Sequence, residues 1–278
     1  MLRLRKILKN LNAGIVISSE YPFTVAAVLA GTKKYSRLIA WEHHHFAWLK
    51  KNCFWTFLCK QAYPKLNGII CLNKDEATHY EGIAPAFIIP NFVENTTGKR
   101  SLVTNKTILA VGWLIHRKGI DMLLKAAREV LTKHPGWTWK LIGDGEMKDE
   151  VLQFISNEKL EDRFILQSPV DSNINDEYIN ASLFVLSSRY EAFPMVLLEA
   201  MSFGIPCISF DCPSGPAEII TDPEDGLLVE KENPVKLAEA ISSLITNEEK
   251  RKKMGEKAFT NIQHFSPERI YELWQQLF

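Results

Sequence analysis

The chain opens on Leu2, Leu4, Ile7, Leu8 and Leu11, spaced for one face of a helix, with Arg3, Arg5, Lys6 and Lys9 between them. Short apolar runs follow at Gly14-Ile-Val-Ile-Ser, Leu38-Ile-Ala-Trp and Gly68-Ile-Ile-Cys-Leu, each of strand length, with aromatic-rich helical sequence between the last two. From Thr107 the alternation is regular. Strands are predicted at Thr107-Ile-Leu-Ala-Val-Gly, 137–142, Phe164-Ile-Leu-Gln, Leu183-Phe-Val-Leu, Pro206-Cys-Ile-Ser-Phe and Leu227-Leu-Val. Helices are predicted over 119–134 and from Met147, Asn175, Pro194, Pro234, Glu248 and Pro267. Buried strands interleaved with amphipathic helices imply an α/β protein whose parallel sheet is covered on both faces.

Turn formers and charges gather over 91–107, which reads as a linker. The predicted division is a first domain over 1–97, a second over 98–264 and a carboxy-terminal helix over 265–278 that packs back on the first. A length of 278 residues fits two domains, and 46% hydrophobic with 24% charged residues excludes disordered and collagen-like classes. Lys plus Arg and Asp plus Glu are 33 each, so a nucleic-acid partner is not expected. The first hundred residues nevertheless carry 14 basic against 6 acidic side chains, and the remainder 19 against 27. Either the basic half faces something anionic, a phospholipid surface or a phosphate-bearing ligand, or the halves attract one another. The apolar runs are too short to span a bilayer, and the charged start lacks a secretory signal, so the expected location is cytoplasmic. Five cysteines without a Cys-x-x-Cys pair argue against a disulfide frame or a thiolate zinc site.

The most informative stretch runs from Ser187 to Pro206. It leaves a buried strand and enters a helix at Pro194, a proline suited to the first helical position, which leaves the amides of Met195, Val196 and Leu197 unpaired. Such amides on the carboxyl side of a parallel sheet form an anion site, with a diphosphate as the natural occupant. Glu191 lies just before the helix and Glu199 just inside it. Carboxylates framing a phosphate site would address sugar hydroxyls. The alternative makes Glu191 a solvated loop charge and Glu199 an ion-pair or helix-dipole residue.

This block resembles the signature of retaining glycosyltransferases of family 4, Glu-Gly-Phe-x-x-Val-x-x-Glu-Ala, through Glu191, Phe193, Val196, Glu199 and Ala200. Asp211-Cys-Pro-Ser-Gly-Pro-Ala-Glu and Asp225-Gly-Leu-Leu-Val are similar to the subgroup that builds bacterial surface polysaccharides. The resemblance implies the GT-B fold, two Rossmann-like parallel-sheet domains, the first of them incomplete here. It implies that Glu199 holds the ribose hydroxyls of a sugar nucleotide, that Glu191 lies by the transferred sugar, and that the helix-start amides, Met195 and Val196 among them, take the distal phosphate. The family's Gly-Arg followed by Lys-Gly reads Gly112-Trp113 and Lys118-Gly119 here, so Lys118 is the expected partner of the leaving diphosphate. Trp113 replaces the arginine, and Arg117 is the candidate for the lost charge. Otherwise Arg117 and Lys118 are ordinary solvated charges. Gly143-Asp144-Gly145 follows a strand and, in the family context, becomes a wall of the nucleotide pocket; taken alone, it is a tight strand-to-helix turn.

In the first half, Trp41-Glu42-His43-His44-His45-Phe46 closes a strand, and three adjacent histidines do not make a zinc site. His43 aligns with the family histidine that contacts the donor sugar, and Pro90-Asn91 with a segment that shapes the hinge. Trp48, Phe54, Trp55 and Phe57 with Lys50, Lys51 and Lys60 resemble a membrane-surface helix, although core packing explains the aromatics equally well. The expected catalytic set is His43, Lys118 and Glu191. Gly112, Arg117, Gly143, Gly145, Phe193, Met195, Val196 and Glu199 are expected to bind the nucleotide sugar. No metal or cofactor is expected. The partners are a nucleotide sugar, a lipid-linked glycan acceptor and the inner membrane surface, the last through the basic half.

The resemblance also implies a longer amino-terminal domain than the ~95 residues that precede the linker. Two functions are therefore carried: a hexosyltransferase using a nucleoside-diphosphate sugar, most simply a UDP-sugar, and a non-catalytic sugar-nucleotide-binding or assembly subunit. A nicotinamide dehydrogenase is disfavoured because Gly-x-Gly-x-x-Gly is missing.

Overall fold

The computed structural model describes residues 2–43, 52–95, 97–169 and 173–278. Two compact units form, one from residues 1–91 with 273–278 and the other from 92–272.

The first unit is a four-stranded parallel sheet of β1 (Ile15–Ser19), β2 (Arg37–Trp41), β3 (Gly68–Cys71) and β4 (Ala86–Ile88), in that order. Its helices are α1 (Leu2–Leu11), α2 (Tyr21–Leu29), α3 (Cys53–Ala62) and α4 (Lys74–Thr78). Two of them start where an asparagine caps free amides: Asn52 accepts from the Phe54 and Trp55 N–H groups, and Asn73 accepts from that of Glu76. The core combines Leu38 and Ala40 of β2 and Ile69 and Cys71 of β3 with Val25, Cys59 and Tyr63. Trp55 packs edge-on against Tyr21 (5.3 Å between ring centroids), whereas Phe54 and Phe57 stay exposed. Trp48, Lys50 and Lys51 of the proposed surface helix, and His44 and His45, lie outside the described residues.

The second unit holds six parallel strands: β5 (Thr107–Val111), β6 (Thr138–Ile142), β7 (Phe164–Gln167), β8 (Leu183–Leu186), β9 (Cys207–Phe210) and β10 (Gly226–Val229). Their order is β10-β9-β8-β5-β6-β7, so the chain winds outward to β7, returns to the middle and winds outward the other way. The helices between are α5 (Ile120–Lys133), α6 (Lys148–Asn157), α7 (Ile174–Asn180), α8 (Met195–Ser202) and α9 (Pro216–Ile219). Then come α10 (Pro234–Thr246), α11 (Glu248–Asn261) and α12 (Pro267–Gln275), the last running into the first unit's 273–278 segment. The centre of the sheet is wholly apolar, with Ile108, Leu109, Leu183, Phe184 and Ile208 fully buried, because helices cover both faces. Both units are thus parallel α/β sheets of Rossmann type, as the sequence pattern implies. No helix among the described residues is long and apolar enough to cross a membrane.

Candidate functional site

The winding of the second unit reverses between β5 and β8, and at such a switch point the loops leaving the carboxyl ends of the strands diverge and leave a crevice. The ladder itself shows the opening. β5 pairs with β6 along all five residues but with β8 only through Ile108↔Leu183 and Leu109↔Phe184. Beyond that point the strands part, and Val111, Gly112, Trp113, Lys118, Leu186 and Ser187 line the gap.

The loop after β5 is held against the loop after β6. The Gly112 N–H donates to the Ile142 carbonyl (3.0 Å), that of Leu114 to Asp144 (2.9 Å) and that of Met147 back to Leu114 (2.9 Å). A Cβ on Gly143 would collide with the Gly112 carbonyl, and one on Gly145 with that of Leu114. What the structure brings against these two glycines is backbone, and their want of a side chain is explained by that approach. Gly119 ends the loop in the left-handed region (φ +65°), where an added Cβ would strike the Ser187 carbonyl.

The loop after β8 clasps the loop after β5. Ser187 Oγ donates to the Lys118 carbonyl (2.9 Å), and the Arg189 N–H to the Arg117 carbonyl (2.9 Å). The Arg189 guanidinium makes a two-pronged bond to Asp121 at 2.8 and 2.9 Å and also donates to the His116 carbonyl (2.5 Å). Hydrogen bonding from Arg189 holds the Asp121 carboxyl below its ordinary range. Sequence reading gives no role to Arg189, Asp121 or the Ser187 side chain. Their side chains address partners about seventy positions away, and only the sheet order brings them together.

The same clasp assembles the charged centre. Glu191 is 5% exposed, so it is not a solvated loop charge. Its Oε1 accepts from Lys118 Nζ (2.5 Å) and Ser188 Oγ (2.6 Å), while Arg117 Nη1 stands 3.9 Å from Oε2. Lys118 is likewise not a solvated charge, its side chain being 16% exposed. Arg117 also faces the Tyr190 ring at 5.7 Å. Two cations therefore converge on one buried carboxylate, whereas Trp113, at the position of the family arginine, is 66% exposed. The predicted residues Gly112, Arg117, Lys118 and Glu191 come together here.

The helix start departs from the sequence expectation in one respect. Pro194 is the cap of α8, not its first helical residue, so its carbonyl accepts from the Leu197 N–H (3.0 Å). The amides of Met195 and Val196 have no partner among the described residues; that of Leu197 does. Phe193 is buried, its ring 5.6 Å from that of Phe265, so the ring packs in the protein interior. Glu199, one turn into α8, accepts a hydrogen bond from the buried Tyr178 hydroxyl (2.7 Å), another residue that sequence reasoning missed.

His43 belongs to the first unit, just past β2, where its ring lies 4.3 Å from that of Trp41. No group of three or more His, Cys, Asp or Glu positioned to hold a metal ion occurs among the described residues.

The family model described as glycosyl transferases group 1 matches residues 94–260, more than half of the chain, and the chain belongs to that family. It is 38% identical over 191 residues to exopolysaccharide phosphotransferase SCO2592 of Streptomyces coelicolor, covering 68% of this chain and 20% of that protein. It is 29% identical over 279 residues to an uncharacterised glycosyltransferase of Haemophilus influenzae, covering 98% of this chain and 78% of that one. The fold matches that of Staphylococcus aureus TarM, solved with fondaparinux, alpha-GlcNAc-glycerol and UDP. The TM-score is 0.80 at 23% identity, over 98% of this chain and 57% of that one. The architecture is thus that of GT-B glycosyltransferases. The chain spans a fifth of the Streptomyces protein and little more than half of TarM.

Proposed function

We propose that this chain transfers a hexosyl unit from a nucleoside-diphosphate sugar, most simply a UDP-sugar, to a lipid-linked or polysaccharide acceptor, with retention of anomeric configuration. The setting would be synthesis of a bacterial capsule, O-antigen or exopolysaccharide. The observation that carries this reading is the largely buried Lys118–Glu191 pair at the switch point of the sheet, followed within five residues by the two α8 amides that have no partner among the described residues.

A sugar nucleotide is already activated, so the protein's task is to stabilise the departing diphosphate and to hold the acceptor hydroxyl near. An ammonium has three N–H donors, and Lys118 uses one on Glu191. The others, with the amides of Met195 and Val196, are suited to phosphate oxygens, and Arg117 supplies the charge that Trp113 cannot. Glu191, its charge balanced by these cations, then serves the transferred sugar, and Glu199 the ribose. For His43 the proposed role is a contact with the donor sugar. In the reaction the bond from the anomeric carbon to the diphosphate oxygen breaks and a bond to the acceptor oxygen forms on the same face. The acceptor proton passes to a diphosphate oxygen, so no side-chain base is required.

Measured by UDP calorimetry and UDP release, Glu199→Ala should weaken nucleotide binding, while Glu191→Ala should lower turnover with binding largely kept. Wild-type binding and rate in both variants would remove the assignment. Exposed Trp113 favours a second reading, a sugar-nucleotide-binding assembly subunit without turnover. Transfer to a lipid-linked acceptor separates the two. Exposed Phe54 and Phe57 beside Lys60 support contact of the basic half with the inner membrane surface.

A further inference from the structure

The reading above gives Glu199 the ribose, and the structure shows what fixes its carboxylate. Oε2 accepts from the Tyr178 hydroxyl at 2.7 Å, and Oε1 has no partner among the described residues. Tyr178 is 1% exposed on α7. Its ring is stacked on Phe203 (5.3 Å between centroids, 18° between planes) and tilted against Phe184 at 6.1 Å. Phe184 belongs to β8 and Phe203 caps the carboxyl end of α8, so the ring is wedged between the strand and the helix that carry the site. The hydroxyl is therefore a fixed point, while the half-buried Glu199 side chain has rotamers to lose.

Burial and the adjacent Glu199 carboxylate push the Tyr178 phenol well above its ordinary range, so at neutral pH it is a donor and not a second anion. A carboxylate held by one oxygen keeps its plane, and its other oxygen then points in a set direction.

We propose that Tyr178 is a positioning residue for nucleotide recognition: its hydroxyl pins Oε2 of Glu199 so that Oε1 is presented to a ribose hydroxyl of the bound nucleotide. This rests on the assignment of Glu199 to the ribose. It adds that the strength of that contact is set from the protein interior, by a residue that does not touch the ligand.

The test is a double-mutant cycle on the full chain, with UDP, GDP and ADP titrated calorimetrically and the tightest binder carried forward. Tyr178→Phe keeps the ring packing and removes the hydroxyl alone. It should weaken nucleotide binding by roughly five- to twentyfold, less than the full worth of a hydrogen bond to a charged group because that bond is present with and without ligand. Glu199→Gln should also weaken binding, and the double variant should bind no worse than Glu199→Gln alone, because Tyr178 acts only through that carboxylate. A purely structural role would lower the melting temperature of the unliganded chain without producing this non-additivity. Wild-type affinity in Tyr178→Phe alongside weakened Glu199→Gln overturns the role of Tyr178 and leaves the ribose assignment standing, as do additive losses. Unchanged binding in Glu199→Gln, or no binding of the three nucleotides by the parent chain, overturns the ribose assignment itself and this inference with it.

Discussion

Two buried carboxyls show how far a residue's surroundings decide its chemistry. Glu42, next to His43, is raised from 4.5 to about 7, chiefly by desolvation. The Tyr63 hydrogen bond (2.7 Å) offsets part of this, and the Glu20 and Glu76 carboxylates add to it. A folded value above the unfolded one means that the native state binds the extra proton. The stability so gained is complete below about pH 4.5 and is lost as pH rises through about 7. Over that window the wild type should lose roughly 3 kcal/mol that Glu42→Gln does not, measured by urea unfolding between pH 5 and 8. A wild-type curve parallel to that of Glu42→Gln would refute this. Glu191 is instead matched by Lys118, with Ser188 completing the contact. Lys118→Met should cost about 2 kcal/mol of stability, below the figure for a fully buried pair because both loops retain some solvent access. Lys118→Met with Glu191→Gln should recover part of it, as denaturant titration of the three proteins would reveal. Glu191 and Glu199 stood out as candidates through their spacing about a helix start, and Lys118 only through the family resemblance. Tyr178 and Arg189 were not, because a buried phenol and a loop arginine look like ordinary core and surface residues until the strands are ordered.

At the scale of elements, the crevice depends on loops that touch through backbone. Gly119 joins the Lys118 turn to α5 in a left-handed conformation and lies against the Ser187 carbonyl, so strain and collision coincide at one position. Gly119→Ala should therefore cost more than ~2 kcal/mol, above the usual glycine-to-alanine conformational penalty, and should displace Lys118 from Glu191. Chemical denaturation would give the first effect and loss of UDP affinity the second; a variant as stable as the parent would show that the two loops separate easily. The strands of the second unit could be read from the sequence because burial on both faces makes each a continuous apolar run with helices at steady intervals. Three elements of the first unit escaped, one of them α4, whose five residues are too few for a helical period to show. α2, Tyr-Pro-Phe-Thr-Val-Ala-Ala-Val-Leu, is apolar on nearly every side and has no helical stripe to detect. β4 has only three residues and follows Pro85, too short for a pattern. The boundary at Pro194 was displaced by one position because a proline fits the cap as well as the first turn, and only the hydrogen bond to its carbonyl distinguishes them.

The whole molecule consists of two units of unlike charge. The groups assigned to the nucleotide lie on the loops after β5, β6 and β8 and on α8, all in the second unit, whereas His43 closes β2 in the first. If the phosphates and ribose are read by one unit and the sugar is also read by the other, ligands of different length should leave different footprints. UDP should slow amide exchange in peptides covering 112–119 and 187–199, because those loops carry the groups assigned to it and a ligand held there would oppose their local opening. It should leave peptides ending at His43 unchanged. A complete UDP-sugar should protect the peptides ending at His43 as well, and His43→Ala should abolish that added protection while the loops of the second unit keep theirs. Equal protection of β2 peptides by UDP and UDP-sugar would mean that the first unit responds to the nucleotide and not to the sugar, and would remove His43 from the donor site.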